Sequence, residues 1–167
     1  MDARQDNELT PVKNLTAVGR KSECEIIVTR TFDAPARLVF QAWTKPELFK
    51  RWWLPKSLGV SLLSYEADIR TGGGYRLELD IPGHGSMAFF GKYLEVTPHS
   101  RIVWTNEESE DGAVTTVTLE EKSGKTLLVL QELYSSKEAL ERAGGSENGL
   151  PEQFEQLDEL LLSLGGA

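Results

Sequence analysis

The chain has 167 residues, 40% of them hydrophobic, and a net charge of −8, enough for one domain with a sizeable core. Residues 1–53 carry 9 Lys/Arg against 7 Asp/Glu, and residues 54–167 carry 9 against 19, which excludes the basic track that nucleic acid requires. A lone Cys24 forbids an internal disulfide, and no apolar run nears the ~20 residues of a membrane span.

Residues 1–22 are polar and weakly patterned, so a flexible arm is expected there, followed by a single domain over 23–167. The segment MDARQDNELTPVKN has no apolar signal-peptide core, and a reducing, cytoplasmic setting is expected. Glu23–Phe32 alternates as a strand, with Cys24, Ile26, Val28 and Arg30 on one face. Asp33 is placed to cap a helix with Pro35 in its first turn. In that helix Ala36, Val39, Phe40 and Trp43 share a face. Thr44-Lys-Pro-Glu47 has the form of a capping box for a second short helix carrying Leu48, Phe49, Trp52 and Trp53, which Pro55 ends.

From Val60 to Tyr134 the chain reads as strands and turns. Gly72-Gly73-Gly74 suits a hairpin turn with positive φ, after which Tyr75, Leu77, Leu79 and Ile81 point one way. Met87–Phe90 is apolar on both faces, so its inward side is open. Ser135-Ser-Lys-Glu138 begins a short helix that Gly144-Gly145 breaks. Last comes Gly149–Leu164, where Leu150, Phe154, Leu157, Leu160, Leu161 and Leu164 form an apolar stripe. Its intervening Glu152, Gln153, Glu155, Gln156, Asp158, Glu159 and Ser163 are expected to make a polar back face, with Gly165-Gly166 as the stop. The fold class is α+β: a curved antiparallel sheet of about six to seven strands, two short helices after the first strand, and a long C-terminal helix packed on the sheet.

Arg30-Thr-Phe-Asp-Ala-Pro35, Val39-Phe40-Gln-Ala-Trp-Thr44, Trp52-Trp53, Asp68-Ile-Arg70 with Gly72-Gly73, Gly91-Lys-Tyr-Leu-Glu95 and Arg101-Ile-Val-Trp-Thr105 occur in that order. In sequence and spacing these resemble the SRPBCC (START-like, Bet v-like) superfamily, and within it the domain related to the C-terminal part of the heat-shock-protein-90 ATPase activator. The resemblance covers roughly residues 23–164. It implies a helix-grip fold with an apolar cavity between sheet and C-terminal helix.

On that basis the cavity candidates are Trp43, Trp52, Trp53, Tyr75, Leu77, Phe89, Tyr93, Trp104, Gln131, Leu150, Phe154, Leu157 and Leu161. Aromatic residues dominate cores in any case, but as a set with a few polar handles they suit a small-molecule pocket. The leading expectation is a non-enzymatic binder of a small hydrophobic molecule. A co-chaperone-like module for a heat-shock ATPase is the alternative. An enzyme of the cyclase or hydrolase type comes third, with only Glu132, Gln131 and Tyr134 to support it. His84 and His99 sit in turns without a ligand partner at metal spacing. Glu66, Asp68, Glu78 and Asp80 share strands with Arg70 and Arg76, so outer-face cross-strand ion pairs are expected rather than acid–base chemistry. Asp68 and Arg70 are expected to stabilise the turn. No metal, cofactor or catalytic residue is assigned, and the oligomeric state is monomer or homodimer.

Overall fold

A computed structural model describes residues 15–143 and 149–165. The elements run β1 (Ala17–Ser22), β2 (Glu25–Phe32), α1 (Ala36–Thr44), α2 (Pro46–Phe49), a 3-10 turn (Lys56–Leu58), β3 (Ser61–Ala67), β4 (Gly74–Ile81), β5 (Gly85–Thr97), β6 (Arg101–Thr105), β7 (Val114–Lys122), β8 (Lys125–Leu133), α3 (Lys137–Ala143) and α4 (Leu150–Gly165). All eight strands join one antiparallel sheet in the order β1-β2-β8-β7-β6-β5-β4-β3. The helices α1 and α2 therefore carry the chain from the β2 side to the far edge of the sheet. From there β3 to β8 meander back until β8 pairs with β2. α4 then packs against α1 and β2 in a helix-grip arrangement.

The expected arm over 1–22 is corrected at its C-terminal end. Ala17–Ser22 pairs with β2, Val18 opposite Val28, as an edge strand exposed along its whole length. Such a strand has no buried face to leave an alternating pattern, which also explains eight strands where six or seven were expected. Residues 1–14, the Gly144-Gly145 break and Gly166 lie outside the described residues.

Two helix starts also differ from expectation. Asp33 does not cap α1. It pairs with Lys125 Nζ at 3.3 Å, while the Ala36 N–H donates to Glu121 Oε1 at the end of β7, 2.9 Å away. A carboxylate from the sheet thus serves the positive end of the helix. Thr44 turns back on its own helix, donating to Phe40 O at 2.8 Å, so the expected capping box is not formed and Pro46 opens α2 directly. At α3 the cap is Ser136, whose Oγ accepts from the Ala139 N–H.

The glycine turn behaves as its sequence predicts. Gly72 has φ +90, and a Cβ on Gly73 would lie 1.9 Å from Asp68 O. Asp68 Oδ2 and Arg70 Nε meet across it at 2.9 Å. The register this turn sets places Tyr65 opposite Leu77 and Arg76 opposite Glu66. Of the carboxylates expected to pair across β3 and β4, Glu78 is reached along its own strand by Arg76, two residues before it, at 2.9 Å, whereas a cross-strand pair joins Arg101 of β6 to Glu95 of β5 at 3.0 Å.

The sheet's inner face has two halves. Over β2, β8 and β7, the side chains of Ile26, Val28, Phe32, Val117, Leu128 and Leu130 are almost wholly buried against Phe154, Leu157 and Leu161 of α4. Each such side chain contributes roughly 1.5–3 kcal/mol. Over β3 to β6, the cover is aromatic and comes from α1, α2 and the segment after them.

Candidate functional site

The second half holds the cavity. It is about 40 Å³ and is lined by Trp43, Phe49, Trp53, Tyr65, Tyr75, Leu77, Tyr93, Ile102 and Trp104. The last turn of α1 supplies Trp43 and α2 supplies Phe49; inward positions of β3, β4, β5 and β6 supply the rest of the wall, and Trp53 closes one side. The rings pack edge-on or tilted, with one stacked pair: Trp43 against Trp53 at 5.7 Å and Trp104 at 5.6 Å, Phe49 against Tyr65 at 5.5 Å, Tyr75 against Tyr93 at 5.7 Å, and Phe49 stacked on Trp53 at 4.9 Å. These are favourable geometries for aromatic contacts. Trp53, Tyr65 and Tyr75 are only half-buried, so the cavity reaches the surface beside them.

The polar atoms in this wall are few. Tyr75 Oη donates to Thr105 O at 2.7 Å. Burial pushes Tyr65 up to about 12. Burial raises Tyr93 and Tyr75 as well, and for Tyr75 the carboxylates of Glu108 and Glu107 add to the effect. Glu108, half-buried on the same side, is itself raised by desolvation. All of these shifts favour the uncharged form, as a low-polarity site requires. Trp43 Nε1, buried, meets no protein acceptor.

Of the sequence candidates, Trp43, Trp53, Tyr75, Leu77, Tyr93 and Trp104 meet in this wall. Leu150, Phe154, Leu157 and Leu161 do not. All four are buried outside this wall, with Phe154 edge-on to Phe32 at 5.7 Å. Trp52 also faces away; fully buried, it donates Nε1–H to Ala42 O at 2.9 Å. Phe89 faces inward opposite Leu77 but lies outside the wall, and Phe90 faces outward beneath the Arg76 guanidinium, 5.7 Å from its ring. Gln131 is on the outer face, opposite Ile27, and reaches Glu25 at 3.4 Å. Strand alternation puts Glu132 on the opposite side from Gln131. Of the three residues named for acid–base work, Gln131 is therefore turned away from Glu132.

Phe49, Tyr65 and Ile102 were not singled out from the sequence. Tyr65 is recoverable once the glycine turn fixes the β3–β4 register, because that register sets it beside Leu77. The expected polar back face of α4 was the larger miss. Gln156 Nε2 donates to Trp52 O at 2.8 Å and Leu54 O at 2.9 Å, and its Oε1 accepts from the Lys56 N–H at 2.9 Å. Gln153, itself buried, donates to Trp53 O. Glu152 accepts from the Ser57 hydroxyl and from the Ser57 N–H at 2.9 Å, and these two bonds hold its carboxyl below the usual range. Asp158 meets the buried Arg30 at 3.3 Å. Only Glu155 and Glu159 of that face, with Ser163 at its end, remain exposed. α4 thus fastens the segment that carries Trp53, and so shapes the cavity without lining it.

Among the described residues no group of three or more His, Cys, Asp or Glu gathers as a metal site, and no helix is long and apolar enough to cross a membrane. His99, at φ 65, packs edge-on to Phe40 at 5.5 Å.

Solved structures share the architecture. Protein CV1439 from Chromobacterium violaceum is 30% identical, with a TM-score of 0.68 over 82% of this chain and 96% of its own. Protein NE0264 from Nitrosomonas europaea is 25% identical, with a TM-score of 0.77 over 87% of this chain and 99% of its own. A Rhodobacter sphaeroides protein, 21% identical, has the same fold at a TM-score of 0.79, covering 89% of this chain and 99% of its own. None of the three is named for a ligand or an activity. Among curated proteins there is no match to this sequence. Residues 33–162 match the family described as Activator of Hsp90 ATPase homolog 1-like protein. Together with the sheet-and-helix arrangement, that match makes this chain a member of the Activator of Hsp90 ATPase homolog 1-like family, within the SRPBCC superfamily.

Proposed function

We propose that this protein binds a small hydrophobic molecule without transforming it, at the aromatic cavity between α1, α2 and strands β3–β6. The observation that carries this reading is the composition of the wall: seven of its nine residues are aromatic, and none is charged. Apolar walls with a few placed polar groups are the usual construction of small-molecule sites.

The resting volume bears on how binding happens. A dry cavity of about 150 Å³ accepts benzene, and 40 Å³ accepts no ring without movement of the wall. The part free to give is the Trp53 side. It follows a four-residue helix and is held by side-chain hydrogen bonds from α4 rather than by strand pairing. Binding that waits for such a movement has a lowered association rate.

A thermal-shift screen against small apolar and aromatic molecules tests the proposal. A ligand at about a hundred times its Kd stabilises the fold by roughly 2.7 kcal/mol, several degrees for a domain of this length. Leu77→Phe, which fills the cavity from β4, is expected to abolish the shift while the fold persists; Arg76→Ala on the opposite face leaves it intact. A uniformly flat screen, or a shift unaffected by Leu77→Phe, rejects the cavity as the site.

A second reading, docking onto a heat-shock ATPase, is favoured by the family match alone. Its discriminator is the chaperone's ATPase rate across a concentration series of this protein; an unchanged rate with no complex formed removes it.

A further inference from the structure

Trp43 forms part of the cavity wall, is 4% exposed, and its indole N–H has no protein acceptor. The neighbouring Trp52 shows the ordinary case, with its indole N–H given to Ala42 O. A buried tryptophan N–H usually finds a partner, and an unmade bond there is costly. Tyr75 has given its proton to Thr105 O, and the hydroxyls of Tyr65 and Tyr93 stand in the same wall. The buried polar atom of this wall without a protein partner is therefore a donor, the Trp43 Nε1–H.

Charge narrows the choice further. No Lys, Arg or His lines the cavity, and the carboxylates of Glu107 and Glu108 act on Tyr75 from outside it. An anion entering here finds no counter-charge, and an uncompensated charge in apolar surroundings is heavily penalised.

We propose that the cavity selects a neutral, ring-sized molecule carrying a carbonyl oxygen, and that this oxygen accepts the Trp43 Nε1–H. The inference rests on the cavity being the ligand site, as proposed above. A site with an unspent buried donor discriminates between ligands that supply an acceptor and those that do not, because only the former restore the bond. The competing arrangement is an indole N–H directed at a ring face, since Trp52 stands edge-on to Trp43 at 4.8 Å.

Three probes of closely similar size separate these cases: ethylbenzene, acetophenone and benzoate, titrated into the full-length protein while the assigned indole N–H resonances are followed. Acetophenone is expected to bind about ten-fold tighter than ethylbenzene, equivalent to about 1.4 kcal/mol, with benzoate weakest. The Trp43 N–H resonance is expected to move downfield with acetophenone alone. Trp43→Phe is expected to bind the two neutral probes equally; if that variant does not fold, the wild-type resonance and the probe ranking still decide. Equal binding of the neutral probes with an unmoved Trp43 resonance overturns the inference and leaves the cavity reading intact. Tightest binding by benzoate overturns it as well. No binding by any probe up to its solubility overturns this inference together with the cavity reading.

Discussion

The two halves of the inner sheet face are built from different materials and put to different uses. Over β2, β8 and β7, aliphatic side chains and Phe32 interlock with α4, and Phe32, Val28, Val117, Leu128, Phe154 and Leu157 are all at 0% exposure. Over β3 to β6, large flat rings meet at tilted angles, and a void remains among them. Branched aliphatic chains adapt to one another and fill space, whereas rigid rings leave gaps wherever their edges do not match. One half therefore supplies stability, and the other holds volume in reserve.

That contrast can be broken from the solid side first. Leu157→Ala removes a fully buried side chain where nothing can collapse inward, and a loss of about 2–5 kcal/mol is expected in urea unfolding. A loss below about 1 kcal/mol would show that α4 is loosely seated after all. Next in size is Asp158→Ala. Arg30, buried with 4% side-chain exposure, would keep only Thr16 and the Phe32 ring as partners. Because Asp158 is itself partly exposed, about 1–3 kcal/mol is expected rather than the full cost of orphaning a buried ion. Restoration by Arg30→Met in the double mutant would assign that cost to the stranded charge.

In the looser half, Gln156→Ala removes two hydrogen bonds to the Trp52–Leu54 backbone and one from Lys56. About 1–2 kcal/mol is expected, and hydrogen exchange should quicken selectively around Trp53. Leu77→Phe is expected to change stability by less than about 1 kcal/mol, because the added volume enters an existing void. A larger penalty would mean that the wall is tighter than its volume implies.

The smallest effect is one of pH. Tyr65 ionises at about 12 in the fold against 10 for an ordinary tyrosine. Its folded pKa is raised, so its contribution is fully present below pH 10 and is lost as pH rises through 12. Stability is therefore expected to fall across that window, and Tyr65→Phe should reduce the slope there. An unchanged slope in Tyr65→Phe would place the loss on other groups.

Much of this molecule is determined by local pattern. The 3.6-residue stripe of Leu150, Phe154, Leu157 and Leu161 and the alternation through Ile26, Val28 and Phe32 specify a helix and a strand that must bury those faces. Positive φ at Gly72 and the close approach at Gly73 specify the turn that sets the β3–β4 register. The order and spacing of such elements carry the family resemblance too, because the fold constrains them one by one.

The position of the cavity was decided in three dimensions. Periodicity says that Trp43, Trp104 and Phe154 are each buried, and it is silent on which of them touch. That depends on α1 and α2 crossing to the far edge of the sheet, which delivers Trp43, Phe49 and Trp53 to β3–β6 and leaves Phe154 with Phe32. The glutamines of α4 are a further case. A polar residue on an amphipathic helix looks the same in sequence whether it meets water or a backbone carbonyl, and only the packed loop at Trp52–Ser57 gave Gln153 and Gln156 their partners. A hydrophobic stripe commits a segment to burial, but a void belongs to no segment and exists only in how several of them fail to close.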